Sequence, residues 1–246
     1  MRIGILKADE TPRKLVDRHG RYDEFYVRLL AGGDFQCAVY PVFDGVFPHS
    51  TEEADGWFVT GSKHSAWEEL PWILRLKGLI QDIYNSQKPL VGICFGHQVI
   101  ASALGGRVER YKDGWTAGPV KYARLDNGQE QEVLAFHQDQ VTGLPPEARV
   151  VGSSDTCEYA VLRYGDNAFT MQFHPELTSD YVRDLLSLRE IDLPVAMRAL
   201  ANRANDESLQ AKDVAAEIVE FFKSSTHAAS AGRQVPARES RRNEIR

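Results

Sequence analysis

The stretch Leu90-Val91-Gly92-Ile93-Cys94-Phe95-Gly96-His97-Gln98-Val99-Ile100 puts a cysteine between two glycines, where an apolar run passes into a helix-like pattern. A Gly-x-Cys-x-Gly sequence between a buried strand and a helix has the form of a nucleophile elbow, a sharp turn that presents a reactive side chain at a strand's carboxyl end. Gly92 and Gly96 keep side chains out of such a turn, so Cys94 can take a strained conformation there. At a helix N-terminus a sulfur meets partial positive charge and free N–H groups, which favour thiolate over thiol. The competing reading is an inert cysteine in a packed core. Two flanking glycines and the polar Gly96-His97-Gln98 oppose it.

A thiol nucleophile needs a base within hydrogen-bond reach, and the base needs an acceptor that fixes its tautomer and orientation. His174-Pro175-Glu176 supplies both. In an extended segment residues two apart point the same way, so His174 and Glu176 are expected to face one site at the end of a strand. Alone, the tripeptide fits a surface loop equally well; its weight comes from the pairing with Cys94.

These residues need a frame, and the chain around them alternates strand and helix. Arg2 to Leu6 reads as a first strand, Tyr22, Phe25, Tyr26, Leu29 and Leu30 repeat at helical spacing, Phe35 to Val42 is β-rich, and Gly56 to Thr60 ends a third strand at Gly61. A polar loop runs from Ser62 to Glu69. From Pro71 the residues Trp72, Leu76, Leu79, Ile80 and Ile83 mark a helix with proline in its first turn, and Pro89 opens the central strand. The helix after Cys94 is expected to stop at Gly105-Gly106. Val108 to Val150 changes texture, with short extended runs between Gly, Asn and Pro turns, and implies an antiparallel region. Ala160 to Tyr164 and Phe169 to Phe173 flank Gly165-Asp166-Asn167 as a hairpin. The fold class is therefore α/β, a mostly parallel sheet covered by helices on both faces, with an antiparallel β region.

Composition fits an enzyme-sized domain. The 246 residues are 43% hydrophobic and 26% charged, with a formal net charge of −6, which predicts neither a nucleic-acid nor an anionic-membrane partner. No 18-residue apolar stretch occurs, and Arg2 to Leu6 leaves no room for a signal-peptide core, so a cytoplasmic location is the expectation. Cys37, Cys94 and Cys157 lie far apart without a Cys-x-x-Cys, against a disulfide framework or a structural zinc site. His97, His137 and His174 lack the i, i+4 spacing of a helical metal motif. No metal and no cofactor are expected. His97 is expected to pack near the elbow.

Val91 to Gln98 together with Gln172-Phe173-His174-Pro175-Glu176 resembles the class I (triad) glutamine amidotransferase family, over roughly residues 1 to 190. The resemblance implies a flavodoxin-like fold and attack by Cys94 on a γ-carboxamide carbonyl through a γ-glutamyl thioester. It makes His174 base and then acid, with Glu176 orienting it. The oxyanion needs preorganised N–H donors. One is the amide of Phe95. The other falls by alignment at Ser62, with Gly61 allowing the turn; relatives carry Gly-Gly-Pro where this chain has Thr60-Gly61-Ser62-Lys63. Gln98 matches a position that helps bind the glutamine substrate, and Phe136-His137-Gln138-Asp139 resembles a segment of the glutamine pocket, although His137 reads equally well as structural.

Residues 1–225 are expected to form one amidotransferase-like domain. Within it, Ser179-Asp180 and Asn205-Asp206 would cap packing helices, and Pro194 to Asn205 would form a further one. Residues 226–246 read as a disordered tail, since 227–246 hold five Arg against two Glu. Classical members feed ammonia to a synthetase or transferase domain, for which this sequence shows no remaining length. Three readings follow: a stand-alone hydrolase of glutamine or a γ-glutamyl small molecule, similar to γ-glutamyl peptidase-like relatives; a glutaminase subunit serving a separate synthase; and a non-catalytic binding or regulatory protein on the same fold.

Overall fold

The computed structural model describes residues 1–188, 198–199, 201–202 and 204–231. Its strands, in chain order, are β1 (Arg2–Lys7), β2 (Gln36–Pro41), β3 (Gly56–Val59), β4 (Leu90–Ile93), β5 (Arg107–Arg110), β6 (Thr116–Arg124), β7 (Glu130–His137), β8 (Asp139–Gly143), β9 (Ala148–Ser154), β10 (Cys157–Tyr164) and β11 (Ala168–Met171). The helices are α1 (Arg13–His19), α2 (Tyr22–Leu29), α3 (Pro71–Asn85), α4 (Phe95–Ala103), α5 (Ser179–Leu188) and α6 (Ala211–Ala231).

The nine-stranded sheet has the order β2-β1-β3-β4-β11-β10-β9-β6-β7, with β5 and β8 paired separately. From β2 to β11 every pairing is parallel. From β11 to β7 every pairing is antiparallel. The parallel strands therefore end on one edge, and the residues that follow β1, β3, β4 and β11 meet there. That edge is the usual ligand side of an open α/β sheet.

Strand alternation sorts the core onto two faces. Ile3, Ile5, Phe58, Val91 and Ile93 pack with α2, α5 and α6, whereas Leu6, Trp57, Val59 and Leu90 pack with α3 and α4. In α3 the buried positions Ile73, Leu76, Ile80 and Ile83 keep helical spacing, and Pro71 occupies the first turn. Lys7, buried at the end of β1, anchors α2 through Asp23 at 3.1 Å.

Several boundaries differ from the sequence reading. Helix α1, whose only buried residue is Leu15, has no counterpart in that reading, because so short an apolar pattern carries little periodicity. The helix expected from Ser179-Asp180 begins at Ser179, with the Thr178 hydroxyl accepting from the Tyr181 amide at 3.2 Å. Asn205 caps a short 3₁₀ turn at Asp206–Ser208 instead of α6. Helix α6 continues to Ala231, past position 225. Most of the helix expected over 194–205, and residues 232–246, lie outside the described residues. Among the described residues no helix is long and apolar enough to cross a membrane.

Two glycines in helices give opposite expectations. A Cβ on Gly96 would lie 2.2 Å from the Val59 carbonyl oxygen, while one on Gly78, exposed in α3, meets nothing within 4 Å. Gly96→Ala is expected to destabilise by about 1–3 kcal/mol or more through backbone overpacking. Gly78→Ala is expected to stabilise by about 0.5–1 kcal/mol through helix propensity. Paired thermal melts check both signs.

Candidate active site

Cys94 links β4 to α4 with φ 52° and ψ −105°. A non-glycine residue there carries roughly 1–3 kcal/mol of strain, which the surroundings hold in place. The Cys94 amide donates to the Met171 carbonyl at 2.9 Å, and its carbonyl accepts from the Gln98 amide at 3.0 Å. Any Cβ on Gly92 would lie 2.6 Å from the Gly96 carbonyl carbon, so both glycines are required for α4 to lie close against the sheet. Cys94 is 6% exposed, with its sulfur 4.0 Å from the Phe136 carbonyl oxygen. Phe95, the first helical residue, has an amide with no intrahelical acceptor.

His174 and Glu176 do meet, but by a different local structure. Strand β11 ends at Met171, so the pair lies on the turn that follows it and is not aligned by strand alternation. The His174 ring places Nδ1 2.6 Å from Glu176 Oε1. The His174 amide donates to the Leu134 carbonyl at 2.8 Å, which ties this turn to β7. Nε2 is buried and makes no hydrogen bond among the described residues. Burial opposes charge on this ring, yet Glu176 and the Cys94 thiolate outweigh it and raise the imidazole well above its ordinary value. The two outer members of the set are thus coupled through His174.

The loop after β3 lacks the glycine and proline of relatives and is held by side chains. Thr60 Oγ1 accepts from the Ala8 amide at 2.9 Å, and Ser62 Oγ donates to the Ala8 carbonyl at 2.9 Å. Asp9 accepts from the Lys63 amide at 2.7 Å and from Lys63 Nζ at 2.8 Å. The Gly61 amide donates to the Tyr26 hydroxyl at 2.9 Å, so it is turned away from any oxyanion role. Gly61 contributes by its lack of a side chain instead: a Cβ would lie 2.8 Å from the Tyr22 hydroxyl and 3.3 Å from His174 Cε1.

One cleft of about 860 Å³ gathers Ser62, Cys94, Gln98, His137, Gln138 and His174. Gln98 Nε2 donates to the Asp139 carbonyl at 2.8 Å and to Gln172 Oε1 at 3.0 Å, so much of its amide serves the wall itself. His137 is buried with neither ring nitrogen hydrogen-bonded among the described residues, and burial, then His174, brings its pKa down to about 3. It is a neutral imidazole. His97 lies behind the elbow with Nδ1 2.8 Å from Thr170 Oγ1, its pKa lowered by burial to about 3. Among the described residues no three His, Cys, Asp or Glu side chains are arranged to hold a metal ion.

A parallel sheet that delivers a cysteine elbow and an imidazole–carboxylate pair to one edge defines a thiol-bearing α/β protein. Residues 15–186 match the family model for glutamine amidotransferase class-I, and the chain belongs to that family, with amidotransferase chemistry as its general kind of reaction. Gamma-glutamyl peptidase 4 of Arabidopsis thaliana is 31% identical over 182 residues, 68% of this chain and 72% of that protein. The glutamine-hydrolyzing subunit of the Methanopyrus kandleri GMP synthase is 30% identical over 194 residues, 70% of this chain and 93% of that one. A glutamine amido transferase structure from Methylobacillus Flagellatus superposes with TM-score 0.66 at 22% identity, covering 98% of both chains, and supports the fold.

The sequence reading missed Tyr22, Tyr26 and Asp9. Two tyrosines on a core-facing helix stripe were the available signal, since a buried phenol usually finds a partner. Asp9 had none. With Asp9→Ala the Lys63 amide loses its acceptor, an expected cost of about 1–3 kcal/mol. Hydrogen exchange should accelerate over residues 60–65 while β1 stays protected; an unchanged loop would show that Asp9 does not hold it.

Proposed function

We propose that the protein hydrolyses the γ-glutamyl bond of glutamine or of a γ-glutamyl small molecule through a thioester on Cys94. The carrying observation is the buried chain from Glu176 through His174 to Cys94, ending at a strained elbow in an open cleft. In the first half-reaction the Cys94 thiolate attacks the γ-carbonyl carbon, and the oxyanion is received by the amides of Phe95 and Ser62. The tetrahedral adduct collapses as His174 gives its Nε2 proton to the departing nitrogen, which leaves as ammonia or an amine. In the second half-reaction His174 takes a proton from water, the hydroxide attacks the thioester, and glutamate leaves as the thiolate re-forms. Glu176 holds Nδ1 throughout and stabilises the imidazolium. Gln98, His137 and Gln138 contribute to the wall that receives the glutamyl group.

The cleft favours a leaving group larger than ammonia. Tyr22, Trp115, Phe136, Leu177, Tyr181 and Leu185 give it an apolar side that ammonia does not need. The Arabidopsis relative's name agrees with this reading. The name of the Methanopyrus relative supports the alternative of a glutaminase that serves a separate synthase.

Purified protein is expected to release glutamate from γ-glutamyl peptides and amides without a partner, and Cys94→Ala to abolish it. Turnover of glutamine alone, and weakly, would favour the synthase-partner reading; no turnover with an unreactive Cys94 would favour a binding protein. Glu176→Gln is expected to lower kcat by roughly 10²–10⁴-fold. Because Glu176 raises His174, the variant's imidazole loses its proton at lower pH, so the alkaline limb of kcat should move down in pH. An unmoved limb and equal turnover would remove Glu176 from the mechanism.

A further inference from the structure

Among the described residues, the hydroxyl of Tyr26 on α2 is the one group that touches both Glu176 and the loop after β3. It donates to Glu176 Oε1 at 3.1 Å and accepts from the Gly61 amide at 2.9 Å. The Tyr22 hydroxyl lies 3.2 Å away. Tyr26 has a single phenol proton and a carboxylate can only accept, so that proton goes to Glu176 and Tyr22 donates to Tyr26. Tyr26 is fully buried. Burial and the Glu176 charge raise its pKa well above the ordinary value, so the phenol stays a donor.

We propose that Tyr26 is a positioning residue for the reaction, one hydroxyl that sets the strength of the Glu176–His174 pair and fixes the turn carrying the Ser62 amide. The inference rests on the hydrolase reading above. Both donors use the same oxygen: His174 Nδ1 lies 2.6 Å from Oε1 and Tyr26 3.1 Å, while Oε2 is buried with no partner among the described residues. Two donors on one oxygen compete. Tyr26 draws charge from Oε1 and loosens the hold of Glu176 on the imidazolium, so His174 can release its proton to a leaving amine. The same hydroxyl turns the Gly61 amide outward. Gly61 has no side chain to hold, and this bond fixes the peptide that precedes Ser62.

The groups that bear on His174 come from four places: Glu176 on its own turn, Cys94 at the elbow, His137 at the end of β7, and Tyr22 and Tyr26 on α2. On the outer side of Glu176 a small cavity is lined by Arg18, His19 and Arg28. None of these is altered by replacing Tyr26 with Phe.

The test uses Cys94 alkylation by iodoacetamide across pH, which needs no substrate. In the wild type the higher-pH inflection reports loss of the His174 proton. Tyr26→Phe should move that inflection up by about half a unit to one unit, the size expected for one hydrogen bond to a charged group. Glu176→Gln should move it down. Tyr22→Phe should leave it nearly in place. Placing 3-fluorotyrosine at position 26 keeps the shape, strengthens the donor and should lower the inflection, which covers the case in which Tyr26→Phe fails to fold. With a γ-glutamyl substrate, Tyr26→Phe should lower kcat roughly 10-fold or more with KM little changed. An unmoved inflection in both position-26 variants overturns the proposal and leaves Tyr26 a packing residue. Absent turnover together with a shifted inflection would remove the hydrolase reading and keep the positioning role; turnover without a shift would do the reverse.

Discussion

The whole site hangs on the close approach of α4 to the sheet at Gly96. Its Cα lies so near the Val59 carbonyl that no Cβ fits, and Gly92 is equally crowded by Gly96. That contact lets the chain leave β4 and enter a helix within one residue, and Cys94 absorbs the turn at φ 52°. The strain is borne by the surrounding packing, because Phe95, Val99 and Ile100 are fully buried against the far side of the sheet. The sulfur is then held at a helix N-terminus without any side chain having to point it there.

Topology does the remaining assembly. Parallel pairing from β2 to β11 brings the ends of β1, β3, β4 and β11 to one edge, with Asp9, the Gly61–Ser62 turn, Cys94 and His174 following them. The antiparallel half supplies the opposite wall. The Leu134 carbonyl of β7 holds the His174 amide, and His137 and Gln138 follow in the cleft. A single hydroxyl then joins the two loops, since Tyr26 reaches Glu176 and Gly61 together.

Burial separates the three histidines chemically. His97 and His137 lie in apolar surroundings without a carboxylate and are held neutral, with pKa values near 3. His174 is just as buried, but Glu176 and Cys94 reverse the effect of burial and favour the cation. One residue type thus gives two inert imidazoles and one proton carrier, and the difference is made by a carboxylate two residues away.

Most of the frame was legible in the sequence because it depends on local pattern. Apolar runs between turn residues gave β1, β3 and β4, the spacing from Trp72 to Ile83 gave α3, and Gly165-Asp166-Asn167 gave the β10–β11 hairpin. Gly-Ile-Cys-Phe-Gly marked the elbow, and His-Pro-Glu marked its partner, since both chemistries are written in adjacent residues. The turn that joins His174 to Glu176, the engagement of the Gly61 amide and the pinning of the loop by Asp9 were decided by tertiary structure. Tyr26 and Glu176 are 150 residues apart, and Asp9 and Lys63 are 54 apart. No periodicity encodes such contacts. They exist only because the parallel sheet brings distant chain ends to one edge, where each buried polar group must find a partner from whatever segment the fold has placed beside it.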